Sequence, residues 1–481
     1  MHCSFVYRDE QNIDFATVIQ SDTIAAIATA SGVAGVAIVR ISGPESLAVL
    51  RRVFHRPLMR RLIAGRMLYG HVRDPGNGEI VDEVFAWYQP GPFTYSREPM
   101  AEIQCHGGEA MPRRVLAVVL AAGARIAEPG EFTLRAFLNG RIDLAQVEAV
   151  LDIVTARTEA AATIALLGGD GRLSRAIREI REEIIGLLAH VTATIDFPED
   201  DVQETASTAA LTAQVKSIVS RLQRMMETFQ TGRRYREGAR VSIVGRPNVG
   251  KSSLLNALAG HDRAIVSDVA GTTRDTIEEL IEIDGVPIVV TDTAGLHESS
   301  DPVEKLGIAR TYASAESSDL VLLVIDSSVA LTSEDFRIMR GLPPSPIVCV
   351  LNKSDLKAVV DSEIISDARL DLSKQVARTV RVSSSTHEGL DKLRKSIIDA
   401  LSIEPNRVSD AILITNSRHF SQLERASVAL SVLYEVNNGI PGHDVFASAL
   451  HDAADALGLI TGETATDDVL KSIFIRFCVG K

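Results

Sequence analysis

The eight residues Gly245 to Ser252 read GRPNVGKS, a match to G-x-x-x-x-G-K-[ST]. The match lies between the strand-like run RVSIVG and the helix-like run SLLNALAG. That context lets the backbone N–H groups of Asn248, Val249, Gly250, Lys251, Ser252 and Ser253 and the helix N-terminus surround phosphate oxygens. Lys251 is expected to neutralise the β and γ phosphates of a nucleotide, and Ser252 to ligate Mg²⁺. Further along, DTAG (Asp292, Thr293, Ala294, Gly295) closes an apolar strand. Asp292 is placed to hold Mg²⁺ through water, and Gly295 to bond the γ-phosphate. NKSD follows the strand PIVCVL and contributes Asn352, Lys353 and Asp355. A carboxylate at Asp355 accepts two N–H bonds from guanine, and adenine lacks that donor pair, so the motif selects GTP. Ser383, Ser384 and Ser385 hold the place of the loop that touches the base through its backbone. GTTRD (Gly271 to Asp275) sits where a first switch belongs, with Thr273 as the second protein ligand to Mg²⁺.

The hydrolytic water is not accounted for by these motifs. A glutamine directly after D-x-x-G orients water in Ras-type proteins, and here that residue is Leu296. The acids Glu298, Asp301 and Glu304 lie downstream, and Arg274 is a candidate arginine finger. Asn248 puts a carbonyl oxygen inside the phosphate loop. That oxygen either holds a monovalent cation or only stabilises the loop.

The elements around these motifs fall into blocks. Residues 1–21 read as a disordered extension, and 22–140 mix strands with helices. GVAIVRISG, EVFAWYQP and MAEIQCHGG read as strands, and LAVLRRVFH between them as a helix. Residues 141–237 carry apolar residues at helical spacing. Residues 238–401 alternate buried strands with helices, the pattern of a parallel α/β sheet. Residues 402–481 are helical again, so the α/β block reads as an insertion in one helical domain. The expected fold is therefore multidomain α/β: an N-terminal α+β domain, an all-α domain, and an inserted Ras-like P-loop α/β domain.

Composition narrows the classes. Across 481 residues, 46% are hydrophobic and the net charge is −13, which argues against a protein that coats nucleic acid through general basicity. The basic run RRVFHRPLMRRLIAGR (Arg51 to Arg66) is a local candidate for RNA contact, weighed against a solvated helix face. Four scattered cysteines without C-x-x-C spacing suit a reducing compartment and no zinc site. The N-terminus lacks a leader pattern, and VLAVVLAAGA (Val115 to Ala124) is too short to span a bilayer, so a cytoplasmic location is expected. Cys478-Val479-Gly480-Lys481 fits prenylation poorly, because Gly480 and Lys481 are unsuitable there.

The chain is similar to the MnmE (TrmE) family of tRNA-modification GTPases. The similarity runs from about Asp22 to the end, carried by GVAIVRISG, EIQCHGG, PGEFTLRAFLNGRIDLAQVEAV, IDFPED, GRPNVGKSSLLNALAG, AIVSDVAGTTRD, DTAGLHESSDPVEKLGI and ITGETATDDVLKSIFIRFCVGK. The resemblance implies an N-terminal folate-binding and dimerisation domain, and G domains that dimerise around K⁺ during hydrolysis. It puts K⁺ ligands at Asn248, Ser267, Val269 and Thr272, and the water-orienting role at Glu304. It puts a tetrahydrofolate derivative, in its 5,10-methylene or 5-formyl form, against Arg40, Glu102, Arg141 and Lys481. A cation for a carboxylate and an acid for a pterin edge suit that ligand. The resemblance also implies a homodimer, a heterotetramer with the FAD-dependent protein MnmG, and aminomethyl or carboxymethylaminomethyl transfer to C5 of a tRNA wobble uridine, with Cys478 implicated. Two departures are local. YSREP (Tyr95 to Pro99) stands where the family reads Tyr-Thr-Gly-Glu-Asp, and Val479 where Ile is common. A regulatory GTPase that switches on RNA or ribosomes shares the nucleotide motifs, but has no need of the N-terminal region or the FCVGK ending.

Overall fold

The computed structural model describes residues 22–56, 62–196, 208–261, 278–292, 315–361, 363–364, 376–403, 412–435 and 442–480. The chain divides into two compact units. One gathers the chain up to Leu151 with the segment from Gly458 onward, and the other runs Asp152–Leu457.

The first unit is built on a sheet of β1 (Ile24–Ile27), β2 (Val36–Ser42), β3 (Phe54–His55), β4 (Leu68–Arg73), β5 (Ile80–Gln89), β6 (Met100–His106) and β7 (Arg125–Ile126). The spatial order is β3-β4-β5-β6-β2-β1-β7. All pairs are antiparallel except β1 with β7. Strict alternation decides the faces. Ala37, Val39 and Ile41 of β2 and Ala101, Ile103 and Cys105 of β6 point into the core, while the residues between them face the other way. Helices α1 (Ser46–Val53) and α2 (Ala110–Ala121) cover the core face with Val49, Leu50, Val115 and Val119. LAVLRRVFH is helical as expected up to Val53, but its last two residues leave the helix and pair as the edge strand β3.

Helix α3 (Glu131–Leu138) follows, and α4 (Leu144–Thr155) starts in this unit. The C-terminal segment returns to them. Leu470, Ile473 and Phe474 of α14 (Asp467–Phe474) and the following Phe477 form one apolar cluster with Leu134, Leu144 and Val147. Phe474 and Phe477 stack at 5.7 Å. Beyond them Val479 bridges to Pro129, and Gly480 lies against β1. Gly480 has φ 101°, and a Cβ there would sit 2.2 Å from the Ile27 carbonyl oxygen, so only glycine brings the tail this close.

The second unit holds helices α5 (Glu159–Gly169), α6 (Arg172–Asp196), α7 (Thr208–Glu227), α8 (Phe229–Glu237) and α12 (Ser417–Glu435), with most of α13 (His443–Thr461). It also holds a sheet ordered β13-β12-β11-β8-β10-β9. The expected strands appear as β8 (Ala239–Val244), β10 (Val286–Asp292), β11 (Leu320–Asp326) and β12 (Ile347–Asn352), all mutually parallel where they pair. Two strands beyond those expected complete it. β9 (Glu278–Ile283) runs antiparallel to β10, and β13 (Val376–Arg381) is parallel to β12. β9 reads EELIEI, a half-polar edge that does not resemble a buried run. Helices α9 (Lys251–His261), α10 (Ser333–Gly341) and α11 (Leu390–Ala400) complete the described elements.

Candidate nucleotide and ligand sites

The nucleotide motifs converge at one end of the parallel sheet. β8 ends at Val244, the GRPNVGKS loop turns, and α9 begins at Lys251. Asn248 (φ 64°) and Gly250 (φ 95°) take left-handed conformations that let the loop close on itself. The Lys251 ammonium donates to the carbonyls of Gly245 and Arg246, both at 2.8 Å. The Arg246 side chain in turn pairs with Asp335 at 2.8 Å. Asp335 is buried in the capping box of α10, so the phosphate loop is anchored to that helix. Ser252 and Ser253 are exposed at the first turn of α9, where backbone N–H groups have no partner within the helix. These hydroxyls and N–H groups suit phosphate oxygens and a hard cation.

Asn352 joins the phosphate loop to the base loop. Its side-chain N–H donates to the Val249 carbonyl at 2.8 Å. Its Oδ1 accepts from the Ser384 N–H at 3.1 Å and from the Ser384 hydroxyl at 2.8 Å. A Cβ on Gly250 would meet Asn352 Nδ2 at 2.3 Å, which explains glycine there. Asp355 is exposed, and its carboxylate accepts the Ser383 hydroxyl at 2.6 Å. That bond holds the carboxyl below the usual carboxylate range, so it stays an anion able to accept N–H donors. Ser385 bonds Ser383 at 3.0 Å, completing the cluster. Lys353, at φ 60°, pairs with Asp326 at 2.7 Å. Burial raises the Asp326 carboxyl, but Lys353 and the hydroxyl and N–H of Ser328 outweigh it and lower it overall. Asp326 was not singled out by motif. It closes the apolar run LVLLVID, and strand register alone sets it beside Asn352.

Asp292 ends β10 in register with Ile243, two residues before Gly245. Ser267, Val269, Thr272, Thr273, Arg274, Thr293, Ala294, Gly295, Leu296, Glu298, Asp301 and Glu304 lie outside the described residues, as do residues 1–21 and Lys481.

A second constellation occupies the sheet face of the first unit opposite helices α1 and α2. Arg40 on β2 and Glu102 on β6 are direct cross-strand partners, and Arg40 Nε lies 2.8 Å from Glu102 Oε1. Trp87 on β5 is the other cross-strand partner of Glu102, and its indole N–H donates to Oε2 at 3.0 Å. Tyr95 links the remaining residue. The Arg40 guanidinium is 5.7 Å from its ring centroid, and that of Arg141 is 4.6 Å away. The Tyr95 hydroxyl bonds Thr133 at 2.9 Å. Arg40, Glu102 and Arg141 are thus brought to one place, and sequence reasoning missed Tyr95 and Trp87 as the residues that join them.

Tyr95 opens the atypical YSREP loop. Arg97 sits there with φ 61°, the conformation a glycine takes most easily. Its guanidinium donates to the Asn139 carbonyl at 2.9 Å, and Asn139 donates back to the Ser96 carbonyl at 2.7 Å. Pro99 keeps its carbonyl on the Gly43 N–H at 3.0 Å. Beneath the loop, Arg135 pairs with Asp22, Glu98 and Glu131, and Arg125 with Asp22 and Glu131. Burial raises the Asp22 and Glu131 carboxyls, but hydrogen bonds and charge from the two arginines outweigh it, and both end below their usual range. Cys105 is buried, and burial pushes its thiol up to about 11, whereas Cys478 is exposed. Among the described residues there is no cluster of three or more His, Cys, Asp or Glu fit for a metal, and no helix long and apolar enough to cross a membrane.

A strand–glycine loop–helix unit on a parallel sheet, with the NKSD loop beside it, defines a P-loop GTPase. The family model described as the GTP-binding protein TrmE N-terminus matches residues 23–141, and that described as the MnmE helical domain matches residues 144–478. The tRNA modification GTPase MnmE of Alkaliphilus oremlandii is 41% identical over 96% of this chain and 99% of its own. That of Geobacillus kaustophilus is 42% identical over the same shares. The G domain of the T. maritima FeoB iron transporter is 28% identical, covers 34% of this chain and 98% of its own, and has a TM-score of 0.24. The chain belongs to the MnmE family of tRNA modification GTPases.

Proposed function

We propose that this GTPase uses GTP hydrolysis to drive modification of tRNA at C5 of the wobble uridine, with a reduced folate as one-carbon source and an FAD-dependent MnmG partner. In this reading Lys251 meets the β and γ phosphates, and Asp355 reads guanine with Asn352 and Ser383 to Ser385 as its support. Ser252 and Thr273 would hold Mg²⁺, which would supply charge that offsets that of the phosphates. Asn248, Ser267, Val269 and Thr272 would hold K⁺, which would supply positive charge to the phosphates during hydrolysis, and Glu304 would orient the attacking water. Arg40, Glu102, Arg141 and Lys481 hold the folate, and the chain works in the cytoplasm as a homodimer. The division into 22–140, 141–237, 238–401 and 402–481 follows these tasks.

The observation that favours this over a pure switch is the docking of the tail. The segment bearing Cys478 lies on the same unit as the Arg40–Glu102 pair, with Gly480 packed on Ile27 next to Ala26, the strand partner of Arg40. A switch acting only through its nucleotide has no use for that arrangement. The test is mass analysis of wobble nucleosides from cells lacking the chain, complemented with the unaltered protein or with Cys478→Ser. Loss of the modified uridine that only the unaltered protein restores is expected. Unchanged nucleosides in the deletion strain would leave the switch reading in place.

A further inference from the structure

We infer that Trp87 is a positioning residue of the ligand site on the sheet face opposite helices α1 and α2. It fixes the Glu102 carboxylate so that the two oxygens together accept adjacent N–H donors from one edge of a fused heterocycle. The inference rests on the ligand reading above and names a residue that neither the motifs nor the family resemblance assigns.

The geometry carries it. Glu102 stands between its two cross-strand neighbours, Arg40 and Trp87, in one row of the sheet. Each neighbour takes one carboxylate oxygen: Arg40 Nε is on Oε1 at 2.8 Å and Trp87 Nε1 on Oε2 at 3.0 Å. An ionised carboxylate has about four acceptor directions, so one protein bond per oxygen leaves each oxygen able to accept again. Held from both sides, the carboxylate cannot turn about its terminal torsion, which is otherwise soft. Its unused acceptor directions then present a fixed pair. A pterin edge with a ring N–H beside an amino group matches such a pair. The Tyr95 ring and the Arg141 guanidinium next to Arg40 supply a flat surface and a positive charge for the rest of an anionic ligand. An indole is suited to this post because it donates one bond, accepts none, and stays charge-neutral at every working pH. A lysine or histidine there would add charge and compete with Arg40.

Trp87 is the single tryptophan in the 481 residues, so intrinsic fluorescence of the full-length chain reports this position alone. Titration with 5-formyltetrahydrofolate is expected to change that emission with saturation. Glu102→Gln without ligand is expected to shift the emission, because the indole N–H loses a charged acceptor. Equilibrium dialysis then compares the unaltered chain with Trp87→Phe, which keeps an aromatic ring and removes the donor. The affinity is expected to fall about 3- to 10-fold, because the Trp87–Glu102 bond is made with or without ligand and its loss costs the re-ordering of the carboxylate on binding. With a folate analogue lacking the 2-amino group the unaltered chain binds more weakly, and the penalty of Trp87→Phe shrinks to less than about threefold. A merely structural tryptophan would give the same penalty with both ligands. Should Trp87→Phe fail to fold, the emission shift in Glu102→Gln and the ligand-induced change in the unaltered chain decide the matter. Equal affinity of Trp87→Phe and the unaltered chain, or an unshifted emission in Glu102→Gln, overturns the inference and leaves the folate reading standing. No binding to the unaltered chain by dialysis overturns both.

Discussion

On the proposed reading, Asp355 is the side chain that sets nucleotide specificity. Its carboxylate is exposed yet held in the ionised form by the Ser383 hydroxyl, so it waits as a pure acceptor. Asp355→Asn replaces one acceptor oxygen with a donor. GTP affinity is expected to fall about 10- to 150-fold, the loss of about 1.5–3 kcal/mol for a bond to a charged group. Xanthosine triphosphate, which presents a carbonyl where guanine has its amino group, is expected to bind the variant better than GTP does. A competition titration with a fluorescent nucleotide checks both. Residue-scale legibility was uneven. Lys251, Asn352 and Asp355 stand out because their motifs fix chemistry by spacing alone. Asp326 and Arg246 escaped, since their roles depend on Lys353 and Asp335, partners that only strand register and helix packing bring close.

At the scale of elements, two features of the first unit carry measurable consequences. The tail from Phe477 to Gly480 is held by an apolar cluster and a left-handed glycine. Gly480→Ala adds a Cβ against the Ile27 carbonyl and strains φ by about 1–2 kcal/mol. Hydrogen exchange of the segment around Val479 is expected to speed up about 5- to 30-fold, with that of β6 unchanged. The second feature is the ionic layer under the YSREP loop. Asp22 and Glu131 have carboxyls below their unfolded values. Their stabilisation is therefore fully present above the ordinary carboxylate range and is lost as pH falls through the lowered folded values. Trp87 emission, which reads this unit alone, is expected to report unfolding that sets in below about pH 4. In Glu131→Gln the buried Arg135 and the half-exposed Arg125 lose a shared partner. The loss is about 1–3 kcal/mol, because Arg135 keeps Asp22 and Glu98 and Arg125 keeps Asp22, and it is read as an earlier urea midpoint for the same emission. Little of this layer was legible in sequence: Glu131 and Arg135 share the i,i+4 spacing of α3, but Asp22, Glu98 and Arg125 are spread over more than a hundred residues with no spacing that links them.

At the scale of the whole molecule, the proposed cation site bears on how two copies of the chain pair. If Asn248 completes a monovalent cation site between paired G domains, GTP turnover of the full chain is expected to rise at least about tenfold when K⁺ replaces Na⁺ at equal ionic strength. Asn248→Gly, which keeps the left-handed φ and removes the carbonyl oxygen of the side chain, is expected to erase the difference while retaining nucleotide binding to within about threefold. Equal turnover in the two salts would remove the cation from the mechanism. Analytical ultracentrifugation in the same salts, with a transition-state mimic of GTP hydrolysis present, separates a cation that pairs the domains from one that acts within a single copy.

The sequence by itself determined the nucleotide class. A phosphate loop and a base-reading carboxylate need particular side chains at short fixed distances along the chain, and GRPNVGKS and NKSD satisfy that locally. It also determined the order of α+β, helical and parallel α/β segments, because periodicity is a local property. Tertiary structure alone decided which distant residues meet. It set Trp87, Glu102 and Arg40 in one row across three strands, wedged Tyr95 beside Arg141, and brought a C-terminal tail back onto the first strand. Cross-strand register and helix packing fix such meetings, and both are set by the summed burial of many side chains rather than by any spacing readable along the chain.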